Sequence, residues 1–122
     1  MSSKIKVGDI FYDANGITSF YQVVQVYESG RVRIREIEKE ESTESENGYE
    51  FKAIPVPNKF KPKVEYSKHD LLYAVVKDND KGAIKKLQQF SDGEYYIDFY
   101  GGWANLYKGK PVISSYWSVW MR

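Results

Sequence analysis

The search for chemistry in this chain begins with its one histidine. His69 stands beside Asp70, but a general base and its orienting carboxylate must converge. Neighbouring side chains point to opposite faces of a strand, so this pair alone makes no catalytic dyad. Asp78-Asn79-Asp80-Lys81-Gly82 opens like a calcium loop. An EF-hand also needs Gly at its sixth position and Glu at its twelfth. Ala83 and Gln89 occupy those positions, so the segment reads as a turn. Gly101-Gly102 lacks the spacing and the Lys-Ser/Thr of a phosphate-binding loop. The chain has no cysteine, which excludes disulfide scaffolds, thiolate zinc sites and cysteine nucleophiles. The expectation is a protein that is not an enzyme and uses no metal and no cofactor.

What remains is binding, and charge suggests two surfaces. Between Glu36 and Glu50 stand seven glutamates and one lysine, while the flanking regions are mildly basic and the whole chain carries only +1. The stretch EKEESTESEN, residues 38–47, has no apolar periodicity and reads as a long exposed loop. Its Glu38, Glu40, Glu41, Glu44 and Glu46 are candidates for opposing a basic groove on a protein partner. The second surface is basic. Arg31, Arg33 and Arg35 alternate with Val32 and Ile34, so the arginines share one face of a strand. Lys59, Lys61 and Lys63 add a basic row with Phe60 inside it. Cations beside rings on a β surface suit nucleic acid, the charges for phosphates and the rings for bases.

The elements that must carry these residues read as β almost throughout. Residues 6–12 form a strand leading to a turn at Asp13-Ala14-Asn15-Gly16, where Asn-Gly tolerates positive φ. Residues 20–27 (FYQVVQVY) are β-branched and aromatic, Glu28-Ser29-Gly30 turns the chain, and Arg31 to Arg35 returns. A strand resumes near Tyr49. Pro55, Pro57 and Pro62 keep the following segment extended and unpaired in places. Ser67-Lys68-His69-Asp70 fits a helix N-cap, yet the apolar run Leu71 to Val76 equally suits a buried strand. Ile84, Leu87 and Phe90, three apart, fit a short helix or a bulged strand. Turns at Ser91-Asp92-Gly93 and Lys108-Gly109-Lys110-Pro111 separate three more strands, at 94–100, 103–107 and 112–120. The 20 aromatic residues, 3 Trp, 11 Tyr and 6 Phe, match strand propensity. Together these features predict a single all-β domain over 1–122, a small SH3-like barrel or a strongly bent antiparallel sheet, with room for one short helix. No run reaches transmembrane length and the first residues lack the apolar core of a secretory signal, so no membrane association is expected.

Two groups of residues carry a resemblance. Lys6-Val7-Gly8-Asp9-Ile10-Phe11 leads to Phe20-Tyr21-Gln22-Val23-Val24, and residues 32–37 (VRIREI) are followed much later by residues 103–112 (WANLYKGKPV). In these segments the chain resembles small phage and prophage accessory proteins. That resemblance implies a phage or mobile-element accessory protein and carries no catalytic residues over; the expected role is non-enzymatic binding in the cytoplasm of a bacterial host, to a host protein such as a defence nuclease, with nucleic-acid binding as the alternative. The opening Lys-x-Gly-Asp-Ile-aromatic is also similar to that of SH3-like barrels, among them the ribonuclease toxins of toxin–antitoxin pairs. Those toxins add an Arg and a Ser/Thr that are not placed in this chain, so ribonuclease activity is disfavoured.

Overall fold

Alternation along the residues that follow Gly30 sets the architecture. Val32 and Ile34 are buried, and Arg31, Arg33 and Arg35 lie on the opposite side, as a period of two requires. A computed structural model describes residues 5–14, 18–43, 50–66, 74–77, 81–99 and 102–115. The strands among them are β1 (Ile10–Asp13), β2 (Ser19–Val26), β3 (Arg31–Thr43), β4 (Glu50–Phe60), β5 (Lys63–Tyr66), β6 (Ala74–Lys77), β7 (Ala83–Gln89), β8 (Tyr95–Phe99), β9 (Gly102–Leu106) and β10 (Val112–Ser115).

Six of these strands close on themselves. β1 pairs with β2 and β9, β9 with β8, β8 with β7, β7 with β3, and β3 with β2, all antiparallel. The circuit returns to its start, so the strands form a small barrel with no open edge around the ring. Its interior is filled by Phe11, Val23, Val32, Ile34, Ile97 and Ala104, with Leu87 and Leu106 packed against them. Ala104 stands opposite Ile97, a small residue against a large one, which is how narrow barrels fill their axis.

β3 is too long for the barrel alone. Its first half pairs with β7 and its second half with β4, which in turn pairs with β10. This extension folds over the outer side of β1 and β2. There Ile10, Phe20, Ile37, Ala53 and Val112 form a second buried cluster, and Phe20 meets Tyr107 edge-on at 5.6 Å. Ile37 belongs to this outer layer because odd-numbered positions of β3 face out of the barrel. β5 and β6 pair with each other as a separate two-stranded ladder.

The two layers are joined at a bulge. Ile37 lies opposite Phe60 and Lys39 opposite Pro55, so Glu38 alone faces residues 56–59. Pro55 and Pro57 have no N–H to give a ladder, and Asn58 turns the chain with φ of 66°. Gln22, only 4% exposed, holds this bend with both ends of its amide. Its Nε2 donates to Asn58 Oδ1 at 2.9 Å, and Asn58 N donates to its Oε1 at 2.7 Å. A buried amide is tolerated on β2 because the bulge satisfies it.

Several expectations change. The first strand begins at Ile10 rather than residue 6, because Gly8 adopts φ of 101° in a tight turn that also bonds to Val23. Residues 38–43 are strand, not loop. Pairing with β4 supplies the backbone partners that a polar, aperiodic sequence does not advertise. Glu44 and Glu46 lie outside the described residues, as do residues 67–73. Residues 83–89 are strand rather than helix: Leu87 enters the barrel while Ile84 faces outward, 45% exposed. Pro55 and Pro57 sit within β4: Pro55 lies opposite Lys39 at the edge of the bulge, and Pro57 lies inside it.

One glycine makes the closure between β3 and β7 feasible. Gly82 has φ of 88°, and a Cβ there would lie 2.1 Å from the carbonyl oxygen of Ile34. Gly30 also has positive φ (86°), but its Cβ would meet nothing within 4 Å. Gly82→Ala is therefore expected to cost about 2 kcal/mol or more, from backbone strain with overlap, and Gly30→Ala only about 1 kcal/mol. Urea midpoints of the two variants check this, and equal losses would show that close approach at residue 82 is not limiting.

Candidate nucleic-acid interface

The barrel closure puts the arginine row of β3 beside β7. Antiparallel partners share a face, so Arg31 lies with its partner Lys86, and Arg33 with Ile84. Lys81, at the foot of β7, lines a recess of about 450 Å³ together with Arg33, Arg35, Phe60, Val24 and Gln25. That recess has three cationic residues in its lining and no carboxylate.

The three arginines do different work. Arg31 is exposed. Arg33 donates from Nε to the Tyr27 hydroxyl at 3.1 Å, and that hydroxyl donates to Gln25 Oε1 at 3.0 Å. This holds the guanidinium in place without removing its charge. Arg35 lies over the Phe60 ring, 4.3 Å from its centroid, and its Nε is buried without a hydrogen-bond partner among the described residues. Cation–π contact and packing of the stem commit Arg35 to fastening β4 onto the barrel. Phe60 is thereby covered by Arg35 on one face.

The lysine row does not form one surface. Lys61 pairs with Glu36 at 3.0 Å, and its backbone N–H donates to the Glu36 carbonyl at 2.9 Å. Lys59 is exposed on the bulge. Lys63 is in β5, and its side chain lies outside the described residues. The acidic candidates divide as well. Glu38 is half-buried in the bulge, Glu40 is exposed, and Glu41 pairs with Lys39 at 2.8 Å. The Lys39 ammonium also donates to the Thr18 carbonyl.

Beyond β7 the outer wall carries residues that sequence reasoning did not single out. Alternation from buried Ile97 and Ala104 places Tyr96 and Asp98 of β8, and Trp103 and Asn105 of β9, on the outside. Trp103 is opposite Asp98, and Tyr96 is opposite both Gln88 and Asn105. Lys86 becomes legible once 83–89 is read as strand, because Ile84-x-Lys86-x-Gln88 is a period-two row; Trp103 lies in a segment already read as strand, but its outward face is set by Ala104 being buried. A second recess, about 660 Å³, opens beside this wall between Tyr12, Phe90, Tyr95 and Tyr107. It is rimmed by Lys108 and Glu94, ion-paired at 2.5 Å.

At the barrel mouth Tyr21 stacks on Phe99 at 4.8 Å, and the Lys85 ammonium lies 5.0 Å from the centroid of the same ring. Burial of the Tyr21 phenol raises its pKa above the ordinary value of 10.0. The nearby Glu36 carboxylate and, less strongly, Asp13 push the same way, against a hydrogen bond with Ser19. Among the described residues no group of three or more His, Cys, Asp or Glu could hold a metal ion. Comparisons with protein-family profiles, with curated proteins and with solved structures returned no match.

The raised Tyr21 value has a stability consequence. In the unfolded chain the phenol ionises near 10, while in the fold it keeps its proton to higher pH. Its stabilising contribution is therefore whole below pH 10 and is lost as pH rises through the folded-state value. Tyr21→Phe is expected to flatten the decline of the urea midpoint as pH rises above about 10, and identical declines in the two proteins would refute it.

Proposed function

We propose that this is a non-enzymatic binding protein whose cationic barrel wall engages nucleic acid through its phosphates. One observation carries the reading: Arg31 and Lys86 are direct cross-strand partners on the outer wall, with Arg33 next on the same face. Like charges directly opposite destabilise a sheet by roughly 0.2–1 kcal/mol. Among the described residues neither Arg31 nor Lys86 is relieved by an ion pair. A polyanion laid along the wall would turn that cost into binding energy and release its own counterions. The recess at Arg33, Arg35 and Lys81 extends the same positive field.

Binding rather than turnover is favoured because the wall gathers cations, amides and rings in place of a facing acid and base. A phage or prophage accessory protein acting in the host cytoplasm would meet nucleic acid and host proteins alike. A second reading, docking to a host protein such as a defence nuclease, is favoured by the second half of β3. There Glu40 lies opposite Ile54, and Ile54 and Ile113 are both exposed on that extension. Pairing with β4 fixes Glu40 on the exposed face beside Ile54, while Glu41 faces the other way and pairs with Lys39, so Glu40 is the carboxylate this face offers a basic partner. If that reading holds, Glu40→Gln weakens capture of the partner with no change in thermal midpoint; undiminished capture would exclude it.

For the nucleic-acid reading, Arg31→Gln with Lys86→Gln is expected to weaken binding of a labelled oligonucleotide by about tenfold or more at low salt. It should also shrink the slope of log K against log salt by about 1.4, roughly 0.7 per lost cation. The same double variant should be as stable as the parent or slightly more so, because repulsion is relieved. Fluorescence anisotropy across a salt series measures the first two effects. Salt-independent affinity in the unaltered protein would refute the phosphate mechanism.

A further inference from the structure

We infer that the nucleic acid is taken as a single strand, its bases stacking on Trp103 and on the Phe90–Tyr96 ring pair; this deepens, and rests on, the nucleic-acid reading above. Most rings with described contacts are occupied. Phe20 is buried against Tyr107, Tyr21 stacks with Phe99 at the barrel mouth, and Phe60 is covered by Arg35. The exposed exceptions continue the outer surface around the ring from Lys86, across β8 to β9. Trp103 is 53% exposed on the outer face of β9. Phe90, exposed just beyond β7, lies parallel to Tyr96 with centroids 4.0 Å apart and planes at 19°. Tyr96 is itself on the outer face of β8.

The register sets the track. Trp103 is opposite Asp98, which makes Tyr96, two residues before Asp98, its diagonal neighbour at about 7–8 Å. Lys86 is on β7, two strands around the ring from Trp103, about 10 Å measured along the curved sheet, so a strand joining them must follow the barrel's curvature. Phosphates on the Arg31–Lys86 side would leave successive bases over Trp103 and then Phe90. Asp98 lies between the cations and Trp103, and its carboxylate accepts from the Gln88 side-chain amide. A carboxylate there repels phosphate and so keeps the backbone on the cationic side. It also offers an acceptor to the exocyclic amine of a stacked base. A duplex buries its base faces in its own stack and gains nothing from these rings, whereas every base of a single strand has a free π face.

The test uses the full chain with Trp117→Phe and Trp120→Phe, which leaves Trp103 as the one tryptophan. It is titrated with oligothymidylate alone and with the same strand annealed to oligoadenylate. Trp103 fluorescence should be quenched by the single strand, and the duplex should bind at least about tenfold more weakly. Trp103→Ala and Phe90→Ala, made in the unaltered chain and read by anisotropy, should each weaken single-strand binding by about 5- to 150-fold. Trp103→Phe should retain much of the affinity, and thermal melts confirm that each variant is folded. Salt-dependent binding without quenching and unmoved by either alanine variant would overturn the stacking site and leave the phosphate reading standing. Equal affinity for duplex would overturn the single-strand preference. No salt-dependent binding of either form would remove the nucleic-acid reading and this inference with it.

Discussion

Everything on the outer wall depends on β3 and β7 lying close enough to pair. Gly82 enters that pairing with positive φ, and the Ile34 carbonyl occupies the space a side chain would need. Without this approach the six-stranded ring stays open, Val32 and Ile34 lose their cover, and Arg31 has no Lys86 beside it. The same backbone contact thus closes the core and creates the like-charge pair on the surface. Core and candidate interface are two sides of one ladder, as they must be where alternate residues of a strand face opposite ways.

A second constraint acts where β3 leaves the barrel. One 13-residue strand serves both the barrel and its extension: pairing with β7 ends at Ile34, pairing with β4 begins at Ile37, and the bulge falls opposite Glu38. There β4 carries extra residues, two prolines and a left-handed asparagine, and buried Gln22 satisfies the bend. Arg35 over Phe60 and Lys61 with Glu36 fasten the same junction from outside. These polar contacts let a barrel with a narrow axis gain a second apolar cluster on its outer side. The cost is that Arg35 and Lys61, basic residues with the composition of a binding surface, are largely engaged in structure. The free charge moves to Arg31, Arg33, Lys81 and Lys86.

The electrostatic character of β3 follows from this division. Its first half faces solvent with arginines inside the barrel wall, and its second half with glutamates inside the extension. Near-neutral net charge conceals two surfaces of opposite sign. Short-range recognition responds to the local surface, because charges beyond about 10 Å are screened at ordinary ionic strength.

The sequence by itself determined the class of the fold, since apolar–polar alternation, β-branched and aromatic residues and Gly-containing turns admit little else. It also determined that Arg31, Arg33 and Arg35 share a face, because that depends only on the period of a strand. It misled at residues 38–43, where polar composition reads as loop until β4 supplies the pairing. It was ambiguous at 83–89, where a spacing of three suits a helix. Only the tertiary structure decided which strands neighbour one another, and with that the pairing of Arg31 with Lys86, the engagement of Arg35 and Lys61, and the exposure of Trp103. Those are relations between residues far apart in the chain. They are set by barrel closure and by the bulge at Asn58, and no local pattern encodes them.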